Sequence, residues 1–356
     1  MSRLIARRPL LGALAVGGLA LTRRTASSGP SQKTPFLRGV NLSGKEFYPG
    51  DQWPRKEVVR YYLREKRMNC ARLCISWELL QPQLGGPLAS DMVDGIERMI
   101  EQISAAQAWT ILDLHNYSRR TEAGITYIIG ESGTRVTIGH LAGLWKAIAE
   151  RWGNRKDVLF GLMNEPHDQS TAILVKSYNE TIAAIRATGS SNLILVNGND
   201  WNAEAWRPGH DNLDLMLNVS DPADNLAFDV HQYFDRYSAG QKPEVVKGWG
   251  EGLRNFTTWA RKHGKKGFCG EFAGPGSADG VAAVDAFLTY LEMNQDVWLG
   301  WAWWGAGGWW PRDYLFRLDP ISLNEPWPDP PIDQPGMAAL THRLPGATPF
   351  NGQQAQ

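Results

Sequence analysis

The run Val158-Leu159-Phe160-Gly161-Leu162-Met163-Asn164-Glu165-Pro166-His167-Asp168 decides how the chain is read. Its opening is apolar apart from Gly161, too short for a helix, and bounded by the polar residues 154–157 and by Pro166. Apolar on both faces, it suits a parallel strand covered on each side. A carboxylate at the C-terminal end of such a strand stands where α/β barrels carry their chemistry. Lys266-Gly267-Phe268-Cys269-Gly270-Glu271-Phe272 has the same form. Glu165 and Glu271 can face each other only if both strands belong to one closed or doubly wound sheet.

Working outward, strands are expected over residues 36–42, 69–76, 109–114, 158–163, 192–197, 226–230, 266–270 and 297–303. Helical patterns fall between them at 57–66, 91–106 (with Ser90 as N-cap), 138–152, 171–187, 243–263 and 281–294, with a weaker one at 335–342. Strands alternating with helices imply a parallel sheet with helices outside. Eight such repeats in one domain favour an α/β fold of the single (β/α)8 barrel type. An open dinucleotide-binding sheet would want Gly-x-Gly-x-x-Gly after the first strand, which Gly39 and Gly44 do not supply. The proline-rich stretch 321–335 reads as an ordered loop, and residues 346–356 as a loose tail.

The 356 residues, 43% hydrophobic, can bury one large core. Lysine plus arginine equals aspartate plus glutamate at 37 each, so no whole-chain field attracts nucleic acid. Residues 1–28 hold five arginines (3, 7, 8, 23 and 24) and no acid, which leaves 32 basic against 37 acidic groups in the remainder. Their layout is a basic start, an apolar core of about 13 residues and a small polar end, that of an export signal. Arg7-Arg8-Pro9-Leu10-Leu11 has twin-arginine character, whereas Arg23 and Arg24 leave an uncleaved anchor open. We expect a chain exported to the periplasm or beyond, a catalytic domain over 29–345, no stable membrane association once the signal is cleaved, and a monomer. Cys70, Cys74 and Cys269 read as buried thiols, and no CxxC or HExxH spacing proposes a metal. Sixteen tryptophans are a heavy load; the ordinary reading puts most of them in the core, and an excess suggests flat platforms at a surface, of the kind that sugar rings stack on.

A barrel gathers the polar residues at the strand C-terminal ends into one ring: Arg72, His115, Asn164, Glu165, His231, Tyr233, Glu271 and Trp304. Two carboxylates in such a ring suit glycoside hydrolysis, one protonating the leaving oxygen while the other attacks the anomeric carbon or activates water. Arg72 is a fixed cation that favours an ionised neighbour, so Glu271 is the better nucleophile if Arg72 and Tyr233 reach it. Glu165, beside Asn164 and near His231, is expected to be the acid with a raised pKa. Each residue also has an ordinary reading as a capping carboxylate, a structural ion pair, a core histidine or rim packing; Glu78, Glu131 and Asp168 read as loop charges.

Several phrases taken together resemble glycoside hydrolase family 5, especially its fungal and bacterial endo-β-1,4-glucanases. They are Leu37-Arg38-Gly39-Val40-Asn41-Leu42-Ser43-Gly44, Gln81-Pro82 with Leu84 to Leu88, Leu112-Asp113-Leu114-His115-Asn116-Tyr117, Val158 to Asp168, Asn192 to Val196, Asp229-Val230-His231-Gln232-Tyr233, Gly270-Glu271-Phe272 and the cluster Trp303 to Trp310. The resemblance implies a retaining, metal-free mechanism with no cofactor, Glu165 as acid/base and Glu271 as nucleophile. It also implies that Asn164 binds the sugar 2-hydroxyl, that Arg72 and Tyr233 steer the nucleophile, that His115 and His231 line the cleaved-bond subsite, and that Trp304 is its stacking floor. The substrate would be a β-linked glucan or glycoside. Residues 121–136 depart from the family's usual loop. Trp201, Trp206, Trp309 and Trp310 would either form outer subsites or block one end of the groove. A blocked groove would make an exo-acting or disaccharide-releasing β-glycosidase, and a barrel without turnover would be a carbohydrate-binding protein.

Overall fold

The computed structural model describes residues 35–47, 53–322, 324–347 and 349. The expected export signal, and most of the expected tail, lie outside the described residues. Ten strands occur among them: β1 Leu37–Lys45, β2 Cys70–Ile75, β3 Trp109–Leu114, β4 Arg119–Glu122, β5 Ile125–Ile128, β6 Val158–Gly161, β7 Ile194–Asn197, β8 Leu226–Gln232, β9 Gly267–Phe272 and β10 Trp298–Ala306. Eight close into a parallel barrel in the order β1-β10-β9-β8-β7-β6-β3-β2, while β4 and β5 pair only with each other. The chain is therefore a (β/α)8 barrel, as its alternating pattern predicts.

Alternation along the strands explains what fills the barrel. A deep apolar layer contains Leu37, Cys70, Ile111, Leu195, Ala227 and Phe268. Neighbouring outward residues such as Ala71, Leu112, Val196 and Phe228 belong to the larger core under the helices. Side chains two positions on share a strand face. One step above the apolar layer the inward positions are thus Arg72, Asp113, Asn197 and Asp229, all buried. Strand β9 needs a correction to reach this layer: Asp229 pairs with Phe268 but His231 with Glu271, so β9 carries one extra residue there. That bulge turns Glu271 inward, where strict alternation from Phe268 would have turned it out.

The helices at Ile138–Trp152 and Thr171–Ala187 lie where the periodicity put them. Other expectations need correction. The 57–66 helix is an α-turn at Lys56–Arg60 followed by a π-turn at Tyr61–Glu65. Ala89, not Ser90, caps the next long helix, which begins at Ser90 itself. The expected 243–263 helix starts only at Glu251, because Gly248 and Gly250 hold positive φ (90° and 77°). The β4–β5 hairpin falls in what read as a loop. Its two-residue turn, Ala123-Gly124, has φ of 50° and 81°, the mirror-image geometry that closes tight hairpins, but alanine there is a muted signal.

The tryptophans mostly serve the core. Trp77, Trp145, Trp152, Trp206, Trp298, Trp301 and Trp303 are almost wholly buried, and all three cysteines are buried and free. Trp206 packs on Phe228, Phe256 and Trp259 and so forms no outer subsite. No helix among the described residues is long and apolar enough to cross a membrane.

Gly39 marks a tight strand contact: a Cβ there would sit 2.2 Å from the Cys70 carbonyl oxygen. Gly39→Ala is expected to lower unfolding free energy by about 1–3 kcal/mol, measured by urea denaturation, with the far-ultraviolet spectrum unchanged.

Candidate active site

Arg72 is the hub. Its side chain is fully buried, with Nη1 donating to Glu271 Oε1 at 2.9 Å and to Asn41 Oδ1 at 2.7 Å. Nη2 donates to Asn164 Oδ1 at 2.6 Å and meets Asp113 Oδ1 at 2.8 Å. Nε faces Asp229 Oδ2 at 3.9 Å. A buried guanidinium without such partners would cost several kcal/mol. Burial works against its charge, but Asp113, Glu271 and Asp229 together hold it firmly protonated.

Glu271 is clamped from both sides. Arg72 holds one oxygen, and Tyr233 donates its hydroxyl to Oε2 at 3.1 Å. Burial and the Glu271 charge raise the Tyr233 phenol well above its ordinary pKa, so it stays a donor. Across the mouth, Glu165 has a backbone φ of 38°, strain of about 1–3 kcal/mol for a residue with a Cβ. Its amide donates to Asn197 Oδ1 at 2.7 Å, which pins that conformation.

His231 lies between the two glutamates. Its Nδ1 is 2.6 Å from Glu165 Oε1 and 3.6 Å from Glu271 Oε2, and its Nε2 faces Asp229 Oδ2 at 3.7 Å. Burial pulls its pKa down, but Glu271, Asp229 and Glu165 overcome this and lift it to about 10. One ligand atom from each of Glu165, His231 and Glu271 lies within 4.8 Å of the others. The two carboxylates thus approach to within that distance. The same trio, and Cys74-Asp113-His115, have metal-like spacing. His231 turns both ring nitrogens toward carboxylates, Nδ1 to Glu165 and Nε2 to Asp229, and burial raises the pKa of the Cys74 thiol.

His115 holds Asp113 Oδ2 at 2.8 Å through Nδ1 and Asn164 Nδ2 at 3.2 Å through Nε2. Its ring stacks on Trp304 at 5.3 Å and 11°, and Trp304 Nε1 donates to Tyr314 at 2.9 Å. All eight residues singled out from the sequence therefore meet in one site. Of the three acids expected on loops, Glu78 instead lies in the short helix Trp77–Leu80 and accepts from Asn116, while Glu131 accepts from the Ser170 amide and Asp168 from Arg119.

Asn41, Asp113, Asn197 and Asp229 were not singled out. Their signal is the repeated Asp-x-His of Asp113-Leu114-His115 and Asp229-Val230-His231. Two-residue spacing on a strand puts each aspartate directly beneath a site histidine.

Residues 31–307 match the family model described as cellulase, glycosyl hydrolase family 5. Endo-beta-1,4-glucanase A of Emericella nidulans is 34% identical over 307 residues, covering 82% of this chain and 90% of the relative. Among solved structures, a triple mutant of an endo-beta-1,4-glucanase from Xanthomonas axonopodis pv. citri superposes with a TM-score of 0.78 at 39% identity, covering 86% of this chain and 98% of that one. XacCel5A in complex with cellopentaose gives the same score and identity over 87% and 99%. Cel5A (EG2) of Hypocrea jecorina gives 0.76 at 26% identity, over 86% and 98%. With a matched family model across most of its length, the chain belongs to glycosyl hydrolase family 5.

The histidine between the glutamates couples stability to pH. Its pKa is about 10 folded against 6.5 as a model group. Its stabilising effect is therefore complete below about pH 6.5 and lost as pH rises through about 10. His231→Gln should flatten the fall in melting temperature across that window relative to the unaltered chain, measured by calorimetry at matched ionic strength.

Proposed function

We propose that the chain is a retaining endo-β-1,4-glucanase in which Glu271 is the nucleophile and Glu165 the acid/base. The observation carrying this reading is the approach of the two carboxylates to within 4.8 Å. Retaining glycosidases hold their pair about 5–5.5 Å apart, whereas inverting ones leave about 6.5–9.5 Å for a water.

Glu271 receives one charge-assisted bond from Arg72 and one bond from Tyr233, which favour its anionic form and aim it. It attacks the anomeric carbon as Glu165 gives its proton to the departing glycosidic oxygen, so one C–O bond breaks as an ester C–O bond forms. Water then enters on the vacated side and gives a proton to Glu165. Its oxygen displaces Glu271, and the configuration is restored. Asn164, fixed by Arg72, serves the sugar 2-hydroxyl, and Trp304 underlies the ring.

The long cleft of an endo-acting enzyme is supported by Trp201. It is 48% exposed, stacks face to face on His167 at 3.6 Å and 12°, and its amide donates to the Pro166 carbonyl next to Glu165. A platform beside the acid lies on the leaving-group side. The relatives' names, and the cellopentaose bound to one of the similar structures, agree with a β-1,4-glucan substrate. The reading extends to the termini: residues 1–28 act as an export signal, residues 29–345 form the catalytic domain, and the mature monomer works in the periplasm or outside the cell. N-terminal sequencing of exported protein tests the cleavage.

Glu271→Gln should abolish hydrolysis and Glu165→Gln should lower kcat by about 100–10,000-fold, both with the far-ultraviolet spectrum of a folded barrel. The first product seen by proton NMR should be the β-anomer; an α-anomer first would overturn the retaining mechanism. Carboxymethylcellulose should lose viscosity well before reducing ends accumulate. Release of only mono- or disaccharide would instead point to a closed pocket. Trp201→Ala should raise KM on long cello-oligosaccharides roughly 2–10-fold, and leave short aryl glycosides unaffected.

A further inference from the structure

Asp113 touches neither glutamate, yet it closes a chain of contacts whose hydrogen positions can be deduced. Arginine carries donors only. The 2.6 Å contact from Arg72 Nη2 therefore requires Asn164 to present Oδ1 to it, and the Asn164 NH2 must face the other way, toward His115 Nε2 at 3.2 Å. An NH2 group is a donor, so Nε2 must accept. The imidazole is then neutral, with its proton on Nδ1, where Asp113 Oδ2 receives it at 2.8 Å. The other Asp113 oxygen meets Arg72 Nη2 at 2.8 Å. Arg72, Asn164, His115 and Asp113 thus form a closed ring with one consistent set of protons.

We propose that Asp113 is a positioning residue that, through the Nδ1–H tautomer of His115, locks the Asn164 amide in the orientation needed to address the sugar's 2-hydroxyl. This rests on the glycosidase reading above and adds the group that enforces it. The second hydrogen of the Asn164 NH2 is the one left for substrate. Bonds to that hydroxyl that strengthen in the transition state contribute several kcal/mol to glycoside cleavage in general.

The charges around His115 pull both ways. Burial lowers its pKa; the hydrogen bond and charge of Asp113, and the charge of Glu271, raise it; Arg72 opposes them, and the net direction is upward. Glu46, just past β1, is electrostatically coupled to His115, and Cys74 Sγ lies in the same cluster. Hydrogen-bond geometry decides against the imidazolium. A proton on Nε2 would set two donors against each other, and Asn164 cannot turn over without offering its NH2 to Arg72. Stacking on Trp304 at 11°, with Phe47 and Tyr117 edge-on, removes ring rotation as an escape.

The test compares two aryl β-cellobiosides, one unaltered and one lacking the 2-hydroxyl on the ring at the cleaved bond. D113N should lower kcat about 10–100-fold on the first, the scale known for groups behind a metal-bound histidine, with KM little changed. On the 2-deoxy substrate, D113N and the unaltered enzyme should differ by less than about twofold. An equal loss on both would mean that Asp113 acts through Arg72 and Glu271, and would overturn the proposal. Because D113N also removes a counter-charge from Arg72 and can fail to fold, the unaltered chain is measured too. Nitrogen-15 imidazole shifts, with His115 assigned by its absence in H115Q, should show Nδ1 protonated and Nε2 bare at the assay pH. A doubly protonated ring, or a proton on Nε2 alone, overturns the proposal. Full activity of E271Q would fail the glycosidase reading itself, whereas an inactive E271Q with equal D113N losses fails this inference alone.

Discussion

A single buried guanidinium organises the barrel mouth. Arg72 rises from β2 one step above an apolar floor and has no access to water. A cation there needs several counter-charges and oxygen acceptors within reach. Asp113, Asp229 and Glu271 supply the charge, while Asn41 and Asn164 supply neutral oxygens. Each also belongs to another part of the site, so satisfying Arg72 fixes Glu271, Asn164 and the supports of both histidines together. Chemistry is placed here by the cost of burying charge.

The two Asp-x-His units show how one local pattern yields opposite electrostatics. His231 stands between two glutamates with an aspartate behind it, and the surplus of negative charge keeps it cationic, with a pKa of about 10. Its Nδ1 braces Glu165 at 2.6 Å. His115 has an equally acidic neighbour, but its outer nitrogen meets an amide NH2 rather than a carboxylate. Spacing along the strand determines which aspartate lies below which histidine; the group across the barrel determines the proton.

Much of this is legible in the sequence because barrel strands are short apolar runs that end in polar residues. Val158 to Glu165 and Gly267 to Glu271 show the switch plainly, and the eight residues drawn from such phrases do converge. Three kinds of feature are less visible. Asp113, Asp229, Asn41 and Asn197 look like ordinary polar interruptions until strand pairing sets them beneath the site. The bulge that turns Glu271 inward depends on the register between β8 and β9, which no local pattern encodes. Turn geometry at Ala123-Gly124 and Gly248 to Gly250 depends on positive φ values that composition only hints at. Tryptophan count misleads in the other direction: most of the indoles are core, and among the described residues Trp201 is the exposed exception.

The central claim is that Glu271 becomes covalently attached to sugar during each turnover. A 2-deoxy-2-fluoro-cellobioside with a good leaving group forms that linkage faster than water can break it. Mass spectrometry of the digested protein should find one added fluoro-cellobiosyl group, on the peptide carrying Glu271, with recovery of activity when an acceptor sugar is supplied. Turnover of the natural substrate with no trapped adduct, or a label on any other residue, would contradict the account.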